Sequence, residues 1–166
     1  MRVDAVDIKL NKKDAMKYFI NKVPLMSRVV QFNNSPKGIH IEYIEFKVIS
    51  YQIITKIKGN NLFRQKSQIN KFIMLINTYN GCSKYIENIP TTSKKYISKS
   101  YIKENKLNEE DVVYNTKNEI ISYLKENSKY NIDKLNIQDI NILDIKSIYK
   151  PYWVANYKGK NILIDA

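Results

Sequence analysis

One cysteine, one histidine and four glycines are all that this chain of 166 residues contains of three functionally loaded residue types, and each scarcity closes a class of function. The lone Cys82 excludes an internal disulfide and any cysteine-rich zinc site, in keeping with a reducing compartment. Gly38, Gly59, Gly81 and Gly159 stand isolated at turn-like positions, so neither a Walker loop nor a dinucleotide fingerprint exists. His40 lies in Ile39-His40-Ile41-Glu42. That string holds the His-x-Glu of zinc deaminases, but the Pro-Cys-x-x-Cys pair those enzymes need is missing. A Cys82/His40 nucleophile and base remain formally available; a turn cysteine and a surface histidine are the plainer reading. No apolar run approaches the ~20 residues that span a bilayer. The first ten residues carry Asp4 and Asp7 and no apolar h-region, so no secretory signal is expected and the expected address is cytoplasmic.

Arginine is scarce too, with only Arg2, Arg28 and Arg64 among 28 basic residues, and the net charge is +12. Abundant Lys, Ile, Asn and Tyr are the vocabulary of an AT-rich genome, which accounts for part of that charge. The excess is uneven. Residues 1–100 hold 18 basic and 6 acidic side chains, whereas 101–166 hold 10 of each. Such asymmetry points to an anionic partner for the basic part or to a lysine-coated solvated face. Glu109, Glu110 and Asp111 are the densest acidic run; at a helix start they answer the positive end of the dipole, and no metal site or cofactor is expected from them.

Val48 to Asn61 and Ile148 to Asn161 match at an offset of 100 residues, with Lys58, Gly59 and Asn61 repeated as Lys158, Gly159 and Asn161. Ile49, Tyr51, Ile53 and Ile57 alternate as Tyr149, Pro151, Trp153 and Tyr157 do, the period of a half-buried strand. Each copy reads as a strand, a Lys-Gly turn and a second strand, with Trp153 in the core rather than on an aromatic shelf. Met74-Leu-Ile-Asn-Thr then runs into Asn80-Gly81, a strong turn signal. Upstream, Asn11-Lys-Lys-Asp14 and Asn108-Glu-Glu-Asp111 read as helix N-caps. The first helix shows Ala15, Tyr18, Phe19 and Lys22 on one face before Pro24; the second shows Val113, Ile120, Ile121 and Leu124 and fades at Glu126. The expected fold is α+β: two helix-plus-β-hairpin units in a two-layer arrangement, an antiparallel sheet with helices on one face. The expected boundaries are 1–90 for the first unit, 91–107 for a basic linker and 108–166 for the second.

A helix followed by a hairpin that closes on Ile162-Leu-Ile-Asp165-Ala166, with Leu75-Ile-Asn77-Thr78-Tyr79-Asn80-Gly81 as a looser version, resembles the PepSY family of protease propeptides and bacterial cell-envelope proteins. The resemblance implies a non-catalytic module that binds or restrains a protein partner, often an enzyme. From the residues themselves, Ser93 to Lys103 is the best candidate contact surface: Lys94, Lys95, Lys99 and Lys103 interleave with Tyr96 and Tyr101. Lysines that neutralise phosphate and tyrosines that stack on bases also suit nucleic acid or another anionic surface bound through residues 1–106. Arg64, Lys66 and Lys71 could extend such a surface. The plainer reading of the segment is an amphipathic connecting helix with Ile97 and Tyr101 turned inward. Another protein is the expected partner, and no enzymatic activity is expected.

Overall fold

The computed structural model describes residues 1–22, 39–57, 66–126, 135–157 and 160–166. In chain order the elements are β1 (Arg2–Ala5), α1 (Lys12–Lys22), β2 (His40–Ile57), β3 (Lys66–Asn77), β4 (Ser83–Ile86), β5 (Ser93–Tyr96), a 3-10 turn (Lys99–Tyr101), α2 (Glu109–Glu126), β6 (Leu135–Tyr157) and β7 (Lys160–Asp165). The strands form a seven-stranded sheet in the order β4-β3-β2-β6-β1-β5, with β7 pairing β6. It is mixed, because β1 runs parallel to β6 where Ala5 faces Tyr149, while β1–β5, β2–β3, β3–β4 and β6–β7 are antiparallel. No helix among the described residues is long and apolar enough to cross a membrane.

The chain packs as two compact units. One comprises Met1–Glu45, Thr91–Glu104 and Ile148–Ala166; the other comprises Phe46–Pro90 and Asn105–Ser147. The expected pair of consecutive helix-plus-hairpin units over a purely antiparallel sheet therefore does not form. The reason lies in the strand lengths. β2 has 18 residues and β6 has 23, about 60 and 75 Å at ~3.3 Å per residue. Helix α1, with 11 residues, is only about 16 Å long. A strand that outruns its helix this far contributes to two units.

In the second unit, period two puts Ile49, Tyr51 and Ile53 on one face of β2, opposite Met74, Phe72 and Asn70 of β3. Ile49, Tyr51, Ile53, Phe72, Met74 and Ile76 pack with Val112, Ile120 and Leu124 of α2 in one cluster. Burying Ile120 and Leu124 is worth about 1.5–3 kcal/mol each, well above propensity differences of a few tenths, so packing decides which helix face turns in. That face runs Val112, Thr116, Ile120, Leu124, all fully or nearly fully buried. Thr116, absent from the expected stripe, is accommodated by hydrogen bonds: its Oγ1 donates to the Val112 carbonyl at 2.8 Å. With its proton spent there, it accepts from the Tyr51 hydroxyl at 2.5 Å. Asn108 caps the helix, its Oδ1 accepting the Asp111 amide at 2.8 Å, and Glu109, Glu110 and Asp111 fill the first turn as expected. The Asn80-Gly81 turn forms as well. Gly81 takes φ 75°, donates its amide to the Asn77 carbonyl at 2.8 Å, and has Leu107 Cδ1 3.3 Å from where a Cβ would stand; a side chain there would be strained twice over. The buried Thr78 carbonyl accepts from the Lys106 and Leu107 amides and leads the chain into α2.

In the first unit, Asn11 caps α1 as expected, with Oδ1 accepting the Asp14 amide at 2.9 Å. Ala15 and Phe19 are buried, but Tyr18, expected beside them, is 52% exposed. They pack against Trp153 and Ala155 of β6 and Ile164 of β7. The Trp153 indole donates to the Leu10 carbonyl at 2.7 Å, just ahead of the cap, so a single side chain fills the core and anchors the helix entry. Each helix thus packs on the hairpin of the other sequence copy: α1 on β6–β7, α2 on β2–β3. Ile53 and Trp153 both lie on strands and are buried, as expected. Pro24, Arg28, Gly38, Gly59 and Gly159, the Lys58-Gly59 and Lys158-Gly159 turns and the side chains of Lys22, Ile57, Glu126 and Tyr157 lie outside the described residues.

This packing gives a spectroscopic test, because Trp153 is the only tryptophan. Phe19→Ala should cost about 3–5 kcal/mol and shift Trp153 emission to the red in native buffer; unchanged emission would mean that α1 packs on its own hairpin. In urea titrations, Thr116→Val should cost more than Tyr51→Phe, about 1–3 against about 1 kcal/mol. Only the former strands a buried hydroxyl proton.

Candidate binding groove

Ser93 to Tyr96 adds to β1 as a strand, not as the turn of an amphipathic helix. Alternation prevails because the register sets Lys94 directly opposite Asp4, and opposite charges across a strand pair are favourable. Their ion pair closes at 2.7 Å. Beyond β5 the chain is held at both ends: the Ile97 amide donates to the Met1 carbonyl at 2.9 Å, and the Lys103 amide to the Tyr43 carbonyl at 2.9 Å. The Met1 ammonium returns a bond to the Ile97 carbonyl at 2.6 Å. Between these anchors runs the 3-10 turn, and Tyr43 bridges to Ile102 in parallel sense.

Ile97 turns inward, buried with Val3, Ala5 and Tyr149, whereas Tyr101, expected inward beside it, is 50% exposed and Tyr96 is 84% exposed. Together with Ile41, Tyr43 and Ser98 they line a groove of ≈ 260 Å³. Its lining is two isoleucines, three tyrosines and a serine. Two of the sequence candidates, Tyr96 and Tyr101, are brought together here. Ile41 and Tyr43 went unrecognised because they lie some fifty residues away in β2, where the alternating pattern signals only a strand.

The lysines of the segment serve the scaffold first. Lys94 pairs with Asp4, Lys95 with Asp7 at 2.7 Å, and Lys103 with Glu42 at 2.9 Å. Asp7 is held below the usual carboxylate range by hydrogen bonds from Lys95 and then Ser93. Glu42 and Lys103 are both largely shielded. Burial pushes the Glu42 carboxyl up, but hydrogen bonds from Lys103 and then His40 outweigh it and leave the group below its ordinary value. His40 opens β2 on the exposed side, with Nε2 3.1 Å from Glu42 Oε1. Lys99 is exposed at the start of the 3-10 turn. Lys71 is exposed on β3, in the other unit. Lys66 lies on β3 with its side chain outside the described residues, and Arg64 is outside them altogether. Cys82 is exposed after the Asn80-Gly81 turn. Glu109, from the acidic run, pairs with Lys47 at 3.3 Å. Among the described residues no group of three or more His, Cys, Asp and Glu is placed to hold a metal ion. Among the described residues β5 ends the hydrogen-bonded order of the sheet on its side, and its last residue, Tyr96, lines the groove.

Comparison of the chain with protein-family models, with curated proteins and with solved structures gives no match.

The depressed Glu42 carboxyl makes its pairing a source of stability that is present above the unfolded value of about 4.3 and is lost as pH falls through the folded one. Lys103→Met should therefore destabilise the protein more at pH 7 than at pH 3.5 in urea titrations. Equal losses at both values would show that Lys103 acts through its stem alone.

Proposed function

We propose that the protein is a non-enzymatic binding module of PepSY-like type that holds a segment of another protein in the groove of Tyr43, Tyr96 and Tyr101. The supporting observation is the pairing of two aliphatic side chains, Ile41 and Ile97, with two exposed tyrosine rings. Tyrosine supplies large contact area for little conformational entropy and is enriched where binding energy concentrates. Among the described residues β5 is an edge strand, which supports an extended mode of docking, in which a partner strand bonds to its backbone while alternate side chains enter the groove. Lys94, Lys95 and Lys103 are each matched by a carboxylate. The local field is thereby reduced, which favours a protein segment over nucleic acid at this place. The anionic-surface reading keeps one support, the net charge of +12, and is the runner-up. A cytoplasmic address accompanies the proposal, since an exposed lone thiol suits a reducing compartment.

The test is a photo-crosslinking residue at position 96 in the intact chain, followed by affinity measurement with the protein captured. Tyr96→Ala with Tyr101→Ala should weaken that complex at least about tenfold, as expected for removal of two tyrosine contacts. Labelled oligonucleotides titrated at two salt concentrations decide the alternative. Tight binding that collapses with salt, with no protein captured, would replace the proposal.

A further inference from the structure

The second unit holds a pocket whose chemistry is unlike that of the groove. The register sets Tyr85 of β4 opposite Met74 of β3, and Phe72 shares the face of Met74 two residues away. On α2, Glu119 and Tyr123 are four apart and so lie on one helix face. These side chains and Ser83 line a cavity of ≈ 200 Å³. Its aromatic wall is continuous: Tyr85 and Tyr123 stack with centroids 5.6 Å apart, and Phe72 meets them edge-on at 5.6 and 6.1 Å. Both tyrosines remain 39% exposed. The Glu119 carboxylate stands in the same wall, taking a hydrogen bond from the Ser83 hydroxyl.

We infer that this pocket binds a methylated ammonium head group, with the aromatic wall and the Glu119 carboxylate sharing its charge. Aromatic faces attract a cation through their quadrupole, and do so best for one that sheds water easily. A quaternary ammonium is such an ion, and its methyl groups suit the Met74 and Phe72 side of the wall. A hard metal cation is poorly served, since it asks for six or more oxygen ligands and the side chains here offer one carboxylate and the hydroxyls of Ser83, Tyr85 and Tyr123. The volume fits a head group rather than a whole ligand, because pockets for drug-sized molecules run to ~300 Å³ and above. Glu119 also gains from such an occupant. Glu119 is exposed at the pocket's rim; partial desolvation raises its carboxyl above the ordinary value, and a cation bound beside it would favour the charged form. Lys84 lines the same pocket; its strongly hydrated ammonium opposes a second cation there, so its removal should tighten binding.

The experiment titrates the intact protein by calorimetry with tetramethylammonium, choline, a trimethyllysine peptide and 3,3-dimethylbutanol, the uncharged isostere of choline. The cations should saturate one site and the alcohol should bind at least about tenfold more weakly, as a charge-dependent aromatic contact requires. Glu119→Gln and Tyr123→Leu should each lose about fivefold or more in affinity, and Lys84→Ala should gain. Choline or peptide as the tighter ligand tells a free metabolite from a modified chain. Absence of saturation by every cation, equal binding of the alcohol, or indifference to both Glu119→Gln and Tyr123→Leu in variants with native circular dichroism would overturn the assignment. The groove of Tyr96 and Tyr101 plays no part in this site, and the double substitution there should leave the titration unchanged.

Discussion

The architecture depends on a mismatch of length between strands and helices. β2 and β6 continue for 18 and 23 residues, because alternating Ile, Tyr and Val keep one face apolar without an interrupting glycine or an internal turn. Their one internal proline, Pro151 in β6, is fully buried within the strand. Helices of 11 and 18 residues can cover only part of such ribbons. The apolar face left over must be buried by another element, and among the described residues the other helix provides it. Hence Phe19 lies on Trp153 and Ile120 lies with Tyr51: each helix serves the hairpin of the other sequence copy, and the compact units are made of interleaved segments.

Polar groups follow the same economy. In the core the Tyr51 hydroxyl donates to Thr116, which passes its own proton on to the Val112 carbonyl, and Trp153 hands its single donor to the carbonyl before a helix cap. Among the described residues no buried side-chain nitrogen or oxygen is left without a partner. Desolvated orphans cost more than most hydrogen bonds contribute, so this satisfaction is what allows polar residues into the two cores. At the surface, carboxylates of β1, β2 and the loop after β1 are spent on lysines of the β5 segment. Much of the basic character of that segment is thereby used in holding it as an edge strand, and beside the exposed Lys94 and Lys99 it presents two tyrosine rings outward.

The two candidate sites differ in the physics they offer. The groove has an aliphatic and tyrosine lining and a neighbouring strand edge, which suit a peptide. The second-unit pocket has packed rings with a carboxylate beside them, which suit a compact cation. Neither depends on the titration of a histidine or on a nucleophile.

Much of the local structure was written in the residues themselves. The caps Asn11 and Asn108, the Asn80-Gly81 turn, the strand period of Ile49, Tyr51 and Ile53, and the burial of Trp153 are decided within a few neighbours, where one hydrogen bond or one alternation suffices. Periodicity misplaced Tyr18 and overlooked Thr116, since a helical stripe says which face is apolar but not which neighbour will accept a hydroxyl. The segment 93–103 reads from its residues as an amphipathic connecting helix, and residues 93–96 become a strand because Asp4 lies across from Lys94. Only tertiary structure could decide which helix lies on which hairpin, join Ile41 and Tyr43 to Tyr96 and Tyr101, and bring Glu119 to Phe72 and Tyr85. Those arrangements depend on pairings between residues tens to more than a hundred positions apart, and hydrophobic burial is non-directional: it demands that an apolar face be covered and leaves the choice of cover to the rest of the chain.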